Sequence, residues 1–266
     1  RAFGAPDAPG WLRLDEWPEQ AHALRLQVHC PRSAELLGVV TRLRRMFDLD
    51  ANPALIAEAF TRDPLLGPLS ARRPGLRVPG SWDGFEVAVR AVLGQQVSVA
   101  AARTLAARIV QRYGAALTVP TLPGLERLFP TPAALAAADL RELGLTTTRA
   151  ATIRGMAQAL LDGRVDFRKE QSLQEFVARW TALPGIGPWT AHYIAMRAQG
   201  DPDAFPSADL ILRRSAARGG PPLTERALLE RAAAWQPWRA YAVMHLWRAS
   251  GDLAPIPATT PSHRSR

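Results

Sequence analysis

Residues 183–214 decide the fold, and they read LPGIGPWTAHYIAMRAQGDPDAFPSADLILRR. The connection PGIGP separates two segments whose apolar residues recur at helical spacing, at 173–183 and 189–199. A connection this short permits only a hairpin, and its glycines allow a ligand to approach the backbone closely. The second helix turns its unpaired first-turn N–H groups toward that ligand, which suits a phosphate. A purely structural turn between two helices explains the same residues equally well.

Asp209 is the second feature of this stretch. It ends the loop GDPDAFPSAD at 200–209 and precedes the amphipathic segment LILRRSAAR. An aspartate in this place is typical of a helix N-cap, and that interpretation prevails while Asp209 is considered alone. Asp201 and Asp203 in the same loop are weaker candidates for a functional carboxylate, because ordinary solvation also explains them.

Most of the remaining chain has apolar residues at helical spacing, interrupted by glycine and proline. We predict an all-α body of about nine or ten helices. The residues expected to begin helices by capping them are Ser33, Ser81, Ser98, Thr131 and Thr148.

Three other regions differ from this helical pattern. Residues 11–17 and 23–30 alternate apolar and polar side chains, which predicts two short strands of a small sheet. Residues 61–81 are rich in proline, glycine and arginine and predict a covering segment between sheet and helices. The proline-rich, polar residues 253–266 predict a disordered tail.

The composition limits the class of protein. Of the 266 residues, 47% are hydrophobic and 21% charged, which is ordinary for a globular protein. No apolar run is long enough to span a membrane, so we expect a cytoplasmic protein without a membrane partner. Cys30 is the only cysteine, which excludes an internal disulfide and a cysteine-built metal site. Its position at the end of an apolar run predicts burial.

The net charge of +9 favours a polyanionic partner, because neutralising phosphates releases counterions. Lys169 is the only lysine, so the positive charge is almost entirely arginine. A compositional bias of the genome explains this as well as a selected nucleic-acid surface does. Charge alone therefore does not decide between the two.

Four segments together resemble one known family. They are residues 73–114 (RPGLRVPGSWDGFEVAVRAVLGQQVSVAAARTLAARIVQRYG), 129–153 (FPTPAALAAADLRELGLTTTRAATI), 183–205 (LPGIGPWTAHYIAMRAQGDPDAF) and 237–249 (PWRAYAVMHLWRA). In order and spacing they resemble the helix–hairpin–helix DNA glycosylases whose glycine- and proline-rich loop ends in aspartate. Among these the sequence is most similar to the DNA-3-methyladenine glycosylase II family, the alkylation-repair glycosylases of bacteria. The resemblance covers about residues 35–252, and LRLQVHC fits the end of the family's N-terminal sheet domain.

The resemblance implies a mainly α fold of two helical subdomains flanking a cleft, with a small, truncated N-terminal β-sheet (α+β) region. The implied divisions are a remnant of the sheet domain at 1–34, whose helices extend to about 70, and a helical body at 35–252. Within that body lie the helix–hairpin–helix at about 173–199 and the loop at 200–209, and the disordered tail at 253–266 follows it.

The resemblance also implies excision of alkylated, cationic purines such as 3-methyladenine and 7-methylguanine from duplex DNA. Asp209 would be the catalytic residue, because breaking the N-glycosidic bond builds positive charge on the sugar that a carboxylate stabilises. A cationic base is already a good leaving group, so one aspartate suffices. The hairpin residues implied to hold the DNA backbone are Leu183, Pro184, Gly185, Ile186 and Gly187.

No cofactor is implied to be required. The hairpin carbonyls of Thr181, Leu183 and Ile186 would hold Na⁺ or K⁺ when DNA is bound, and this ion would bridge to a phosphate. Histidine positions show no ligand spacing with the cysteine or with one another.

Trp189, Tyr193 and Trp247 would line the pocket for the extruded base. Trp189 and Tyr193 are four residues apart on one helix face, and electron-rich rings attract a cationic base by stacking and cation–π interaction. Taken singly, these aromatic residues are more typical of a core, and it is their occurrence together with the hairpin and Asp209 that favours a pocket; Trp238 is assigned to the core.

Gln96, with its neighbour Gln95, occupies the position implied to insert into the gap left by the base. The sequence departs from the family here, since relatives carry an apolar residue such as leucine. Glutamine can fill the gap and hydrogen-bond the orphaned base while giving up apolar stacking. A polar pair that only caps a helix is the alternative.

The resemblance implies a monofunctional enzyme, because members that also nick the strand carry a lysine where this chain has Trp189, and Lys169 lies elsewhere. The implied partner is duplex DNA with alkylated bases, bound by a monomer at the bacterial nucleoid. Some relatives are fused to an N-terminal alkylation-response regulatory module. A non-catalytic helix–hairpin–helix DNA-binding module of a larger protein is the alternative, since it needs the hairpin but not Asp209 with three aromatic residues.

Overall fold

A computed structural model describes residues 1–5, 7–119, 122–168 and 170–252. Within these residues the chain is mainly helical and carries one small sheet at its N-terminal end. This agrees with the fold class that the sequence predicts. The expected disordered tail at 253–266 and Lys169 both lie outside the described residues.

The sheet has three antiparallel strands in the order β1 (Ala2–Ala5), β2 (Ala8–Glu16) and β3 (Leu24–His29). The two predicted strands are confirmed as β2 and β3. Strand β1 was not predicted, because its four residues are too few to display alternation. It pairs with the first half of β2 and completes the sheet.

The described residues contain twelve α-helices. They are α1 (Leu36–Met46), α2 (Pro53–Phe60), α3 (Leu66–Arg72), α4 (Gly84–Leu93), α5 (Val99–Tyr113), α6 (Pro132–Ala136), α7 (Thr147–Leu161), α8 (Leu173–Thr181), α9 (Pro188–Ile194), α10 (Leu210–Ala216), α11 (Glu225–Ala232) and α12 (Arg239–Asp252). The nine or ten helices predicted from the sequence did not include α2 and α3. The second of these lies inside residues 61–81, which are therefore not simply a covering segment.

The predicted helix caps are confirmed at two of five positions. The Ser98 and Thr131 hydroxyls accept hydrogen bonds from the backbone N–H groups of the third helical residues of α5 and α6. Ser81 and Thr148 were wrong, because Asp83 caps α4 and Thr146 caps α7. The chain is still extended at Asp83, two residues after Ser81, so α4 cannot begin earlier.

Ser33 also differs from its prediction. It begins a short 3₁₀ turn, Ser33–Glu35, rather than capping a helix with its side chain. Helix α1 follows directly from this turn.

The sheet and α1 share a small core of their own. Its buried members include Phe3 and Leu12 from the strands, Leu43 from α1, and Trp82 from the segment before α4. Cys30 packs against this core but is only half-buried, so its predicted burial was wrong, and its Sγ lies 3.1 Å from the Arg32 carbonyl oxygen. It follows β3, which is an edge strand of the sheet that the described residues form.

Helix α4 is the centre of the larger core. Eight of its ten residues are buried, and it packs against α5, α7 and α9. A second group of helices is formed by α10 on α12 and α12 on α3. The segment between α9 and α10 connects the two groups, and Asp209 is its last residue.

Acid is expected to destabilise the protein through His245, which is 3% exposed on α12. Burial, and then the charge of Arg73, lowers the pKa of this imidazole from 6.5 to about 4. Between pH 6.5 and about pH 4, His245 is protonated in the unfolded chain and neutral in the folded chain. The free energy of unfolding therefore falls as the pH falls below 6.5. The loss reaches about 2 to 3 kcal/mol near pH 4.5.

His245→Phe keeps an aromatic ring against Phe60, whose ring centre lies 6.0 Å away, and removes the titrating group. Urea unfolding at pH 7 and pH 4.5 should show a smaller acid loss in this variant than in the unchanged chain. Equal losses in the two proteins would contradict the assignment.

Candidate active site

Asp209 stands at the first turn of α10 with both carboxylate oxygens engaged. Oδ1 accepts a hydrogen bond from the Leu212 backbone N–H at 2.9 Å, which is the predicted N-cap contact. Trp189 Nε1 donates to Oδ2 at 2.9 Å, and Trp247 Nε1 donates to Oδ1 at 3.3 Å. Asp209 therefore caps α10 and at the same time contacts two of the candidate pocket residues.

The three candidate pocket aromatics form one continuous wall. The Trp189 and Tyr193 rings are stacked, with centres 5.3 Å apart and planes 10° apart. The Tyr193 and Trp247 ring centres are 6.4 Å apart at 47°. All three side chains are half-buried, so each keeps surface available to a ligand. Trp238 packs against the main core, as expected.

The predicted hairpin is formed by α8, the turn at 182–187 and α9. Ser172 and Glu175 build a capping box at the start of α8, and Pro188 occupies the first turn of α9. Leu183 and Ile186 are buried and anchor the turn in the core. Pro184, Gly185 and Gly187 are exposed, so the backbone of the turn lies at the surface.

A glycine is required at position 185 because the Thr152 side chain lies against its Cα. Its φ is +83°, and a Cβ there would overlap Thr152 Oγ1 and lie 2.9 Å from Thr152 Cγ2 on α7. Thr152 is itself buried and fixed by donating a hydrogen bond to the Thr148 carbonyl at 3.0 Å. Gly187 differs, because a Cβ there would meet nothing within 4 Å.

The turn between α4 and α5 lies against this hairpin. Gln95 Nε2 donates to the Gly185 carbonyl at 3.1 Å and to Thr190 Oγ1 at 3.2 Å. Arg149 donates from α7 to the Gln95 carbonyl at 2.6 Å. Gln96 is exposed and holds a left-handed backbone with φ of +56°, which is strained for a residue with a side chain. The amide of Gln95 is thus occupied, and that of Gln96 projects to the surface.

The loop leading to Asp209 is held by an ion pair. Arg239, at the start of α12, donates to both oxygens of Asp203 at 2.7 and 2.6 Å. Asp201 Oδ1 accepts from the Asp203 backbone N–H at 2.8 Å, and burial raises the pKa of the Asp201 carboxyl. The Asp203 carboxylate is therefore paired with α12 and the Asp201 carboxylate with the backbone of its own loop, and no hydrogen bond among the described residues joins either to the aromatic wall.

Sequence reasoning missed several residues that shape the site. Thr152 contacts the hairpin turn, Arg239 the loop before Asp209, and Arg149 the turn at Gln95, each from a distant part of the chain, and no local signal marks them. Arg197 did carry a signal, since it lies four residues after Tyr193. Its Cζ is 5.9 Å from the centre of the Tyr193 ring.

Two further classes of feature are absent from the part of the chain that the structure describes. No group of three or more histidine, cysteine, aspartate or glutamate side chains able to hold a metal ion occurs there. Among the same residues, none of the helices combines the length and apolar character needed to cross a bilayer.

Comparison with known proteins identifies the class to which this site belongs. Residues 89–240 match the family model for HhH-GPD superfamily base excision DNA repair proteins, and residues 1–83 match the AlkA N-terminal domain. The chain therefore belongs to the HhH-GPD superfamily of base excision DNA repair proteins. The first match contains the hairpin, Asp209 and two of the three aromatic residues, and the second contains the sheet and α1 to α3.

Particular relatives agree with this membership. The chain is 39% identical to DNA-3-methyladenine glycosylase 2 of Escherichia coli over 83% of its length and 74% of that protein. It is 43% identical to the probable bifunctional transcriptional activator/DNA repair enzyme AlkA of Mycobacterium tuberculosis over 80% of its length. Only 43% of the latter protein is matched, so the chain spans less than half of that relative. The solved structure of 3-methyladenine DNA-glycosylase from Archaeoglobus fulgidus superposes with a TM-score of 0.81 at 26% identity, covering 96% of this chain and 88% of that one.

Proposed function

We propose that the protein is a DNA glycosylase that excises alkylated, cationic purines such as 3-methyladenine and 7-methylguanine from duplex DNA. One observation carries the proposal: two aromatic residues, Trp189 and Trp247, point their indole N–H groups at the same carboxylate, that of Asp209. The aromatic rings that would stack on a base are thereby hydrogen-bonded to the carboxylate that would act on its sugar. A DNA-binding module without catalysis has no need of this arrangement.

Asp209 would act on the sugar. As the C1′–N bond breaks, its electron pair leaves with the base and positive charge develops on the sugar ring, which a fixed carboxylate stabilises. A water molecule then adds at C1′ and releases a proton. A carboxylate has about four acceptor positions, and three donors already occupy Asp209. One position remains, which is enough to orient a single water.

The aromatic wall would receive the extruded base. Alkylation at N3 or N7 makes a purine cationic, and the faces of tryptophan and tyrosine attract such a ring by cation–π and stacking interactions. One face of Tyr193 is already covered by Trp189. We infer that the base stacks on the remaining surface of Trp189 and Trp247, next to the carboxylate they hold.

The hairpin and Gln96 would handle the DNA strand. Pro184, Gly185 and Gly187 are exposed, and the open space at Gly187 lets a phosphate reach the N–H groups at the start of α9. Gln96 is exposed at the neighbouring turn, where its strained backbone supports a role in filling the gap left by the base.

The hairpin carbonyls fit a monovalent cation. Among the described residues, the carbonyl oxygens of Thr181 and Ile186 accept no backbone hydrogen bond, and that of Leu183 accepts only one, from Ile186 N–H at 3.1 Å. Carbonyl oxygens are the ligands that hard cations prefer. We propose that these three groups hold Na⁺ or K⁺ when DNA is bound, where the ion adds positive charge beside a phosphate.

The reaction is proposed to stop at the abasic site. A strand-nicking glycosylase forms a Schiff base through a lysine, and the chain has Trp189 at the position where such relatives carry it. Incubation with lesion-containing DNA and sodium borohydride should therefore yield no covalent protein–DNA adduct, as judged by denaturing gel. A trapped adduct would refute the monofunctional assignment.

The proposed activity is tested by base release. The purified chain should liberate methylated purines from alkylated duplex DNA, detected by chromatography of the soluble fraction, and leave heat-labile abasic sites. Binding of the same DNA without any release would support the alternative of a non-catalytic DNA-binding module.

We further propose that the protein acts as a monomer on DNA of the bacterial nucleoid. The Mycobacterium tuberculosis relative is named both a transcriptional activator and a repair enzyme, and this chain corresponds to less than half of it. This supports the proposal that the chain is joined to a regulatory module in its full-length form.

A further inference from the structure

Two helices hold the loop that ends in Asp209. Helix α12 contacts it at two places, through Arg239 near the start of the loop and through Trp247 at its end. Helix α9 contacts the end of the loop through Trp189, which donates to the Asp209 carboxylate. The second contact of α9 with the loop is made by His192, three residues after Trp189. Among these four side chains, only that of His192 can change its charge near neutral pH.

The contact of His192 is a hydrogen bond to the loop backbone. Its Nδ1 accepts from the Phe205 N–H at 3.3 Å, and Phe205 lies four residues before Asp209. Phe205 is 1% exposed, and its N–H has no other hydrogen-bond partner in the part of the chain that the structure describes. A buried N–H without an acceptor is unfavourable, so this part of the loop depends on the imidazole nitrogen.

Only a neutral imidazole can accept this hydrogen bond. A protonated imidazole carries hydrogens on both nitrogens, so Nδ1 would become a donor that faces the Phe205 N–H. The His192 side chain is half-buried and lines a cavity of about 440 Å³ between α8 and the loop. A proton from solvent can therefore reach the ring and break the hydrogen bond while the rest of the protein stays folded.

The surroundings of His192 favour the neutral ring at pH 7. Burial, and then the charge of Arg239, lowers the pKa of this imidazole below its ordinary value of 6.5, while Asp203 of the loop and Glu225 of α11 act in the opposite direction. Helix α8 lines the same cavity with side chains that do not titrate. The hydrogen bond to the loop is therefore intact at pH 7 and is lost as the pH falls through this lowered pKa.

We propose that His192 is a positioning residue for base excision: its neutral imidazole holds the loop where Asp209 meets the sugar, and protonation of Nδ1 releases that loop. The inference rests on the proposed glycosylase function and adds to it a control of the carboxylate's position by pH. His192 acts through the segment from Phe205 to Asp209 and makes no contact with the base or the sugar.

The test replaces the acceptor while keeping its position. In His192→Asn, the side-chain Oδ1 occupies the place of Nδ1 and accepts the Phe205 N–H, but it does not titrate. His192→Leu has a methyl group at that place and offers no acceptor. Single-turnover release of 7-methylguanine is measured from pH 4.5 to pH 8 for the unchanged chain and for both variants.

At pH 7.5 we expect His192→Asn to stay within about 2-fold of the unchanged chain and His192→Leu to be slower by ~10-fold, because displacing a reacting group slightly is costly. As the pH falls below 6.5, the unchanged chain should lose rate relative to His192→Asn until it approaches His192→Leu. Groups that titrate in all three proteins, such as His245, cancel in these ratios. A ratio to His192→Asn that is constant with pH, or a His192→Leu rate equal to that of the unchanged chain, would overturn the proposal.

A second measurement does not depend on activity. The amide signal of Phe205 in a ¹⁵N–¹H NMR spectrum should shift as His192 is protonated in the unchanged chain and should not do so in His192→Asn. The same signal behaving alike in both proteins would also contradict the role of His192. If the unchanged chain released no base at any pH, the glycosylase proposal would fail, and the Phe205 signal would still decide whether the imidazole holds the loop.

Discussion

Replacing Asp209 with asparagine is expected to lower the single-turnover rate of 7-methylguanine release by ~10²- to 10³-fold. The substitution removes the negative charge that would face the sugar as the glycosidic bond breaks. With its oxygen kept on the Leu212 N–H, asparagine also places an amide N–H₂ opposite the indole N–H of Trp189, so one hydrogen bond in the site is lost. The measurement is base release at saturating enzyme, which isolates chemistry from binding.

The same substitution leaves the fold nearly unchanged, and this makes it a clean test. Asparagine is as good an N-cap as aspartate, so its oxygen can still accept the Leu212 N–H that begins α10. Thermal unfolding and affinity for DNA with an abasic-site analogue should stay close to those of the unchanged chain. Full excision activity in Asp209→Asn would remove this residue from the chemistry. Asp201→Asn provides a matched comparison in the same loop, with little loss of rate expected.

The second large effect is expected at the hairpin, where Gly185→Ala should lower the melting temperature by about 6 to 12 °C. The added methyl group meets the buried Thr152 side chain, and the φ of +83° is unfavourable for alanine. Together these cost about 3 kcal/mol, and each kcal/mol lowers the melting temperature of a chain this large by about 2 to 4 °C. Differential scanning calorimetry measures the shift. Affinity for duplex DNA should fall as well, since the turn must move.

Gly187→Ala is the matched control, because it adds the same methyl group two residues away into open space. Its melting temperature should stay within about 1 to 2 °C of the unchanged protein. Adding Thr152→Ala to Gly185→Ala removes the side chain that the methyl group meets and should restore part of the loss. If Gly185→Ala and Gly187→Ala melt alike, the close approach at Gly185 does not constrain the turn.

The helical body could be predicted because the signals for a helix, its apolar spacing and its capping residues, lie within the helix itself or next to it. Ser98 and Thr131 act as the caps that their positions indicate, and α8 begins with a complete capping box. Helix α3 was missed because the proline-, glycine- and arginine-rich composition of residues 61–81 was interpreted as a covering segment, although proline is tolerated in the first turn, where no N–H partner is lost. Strand β1 depends on pairing with β2 and has no signal of its own.

The site was predictable only in part. The spacing of Trp189 and Tyr193 places both on one face of α9, and their stacked rings confirm that geometry. Trp247 and Asp209 are 38 residues apart, and nothing in the local pattern relates them; only the family resemblance did. The contacts of Thr152 with the turn and of Arg239 with the loop depend on how helices pack, which a single sequence does not reveal.

The double hydrogen bond of Gln95 has a consequence for how the protein would travel along DNA. Because the Gln95 amide is held by the hairpin turn and its carbonyl by Arg149, the position of the neighbouring Gln96 is linked to that of the hairpin. The distance between the proposed gap-filling side chain and the hairpin turn is then fixed. If the hairpin holds a phosphate and Gln96 fills the gap as proposed, each placement of the hairpin on the DNA backbone would test the nucleotide at one fixed offset.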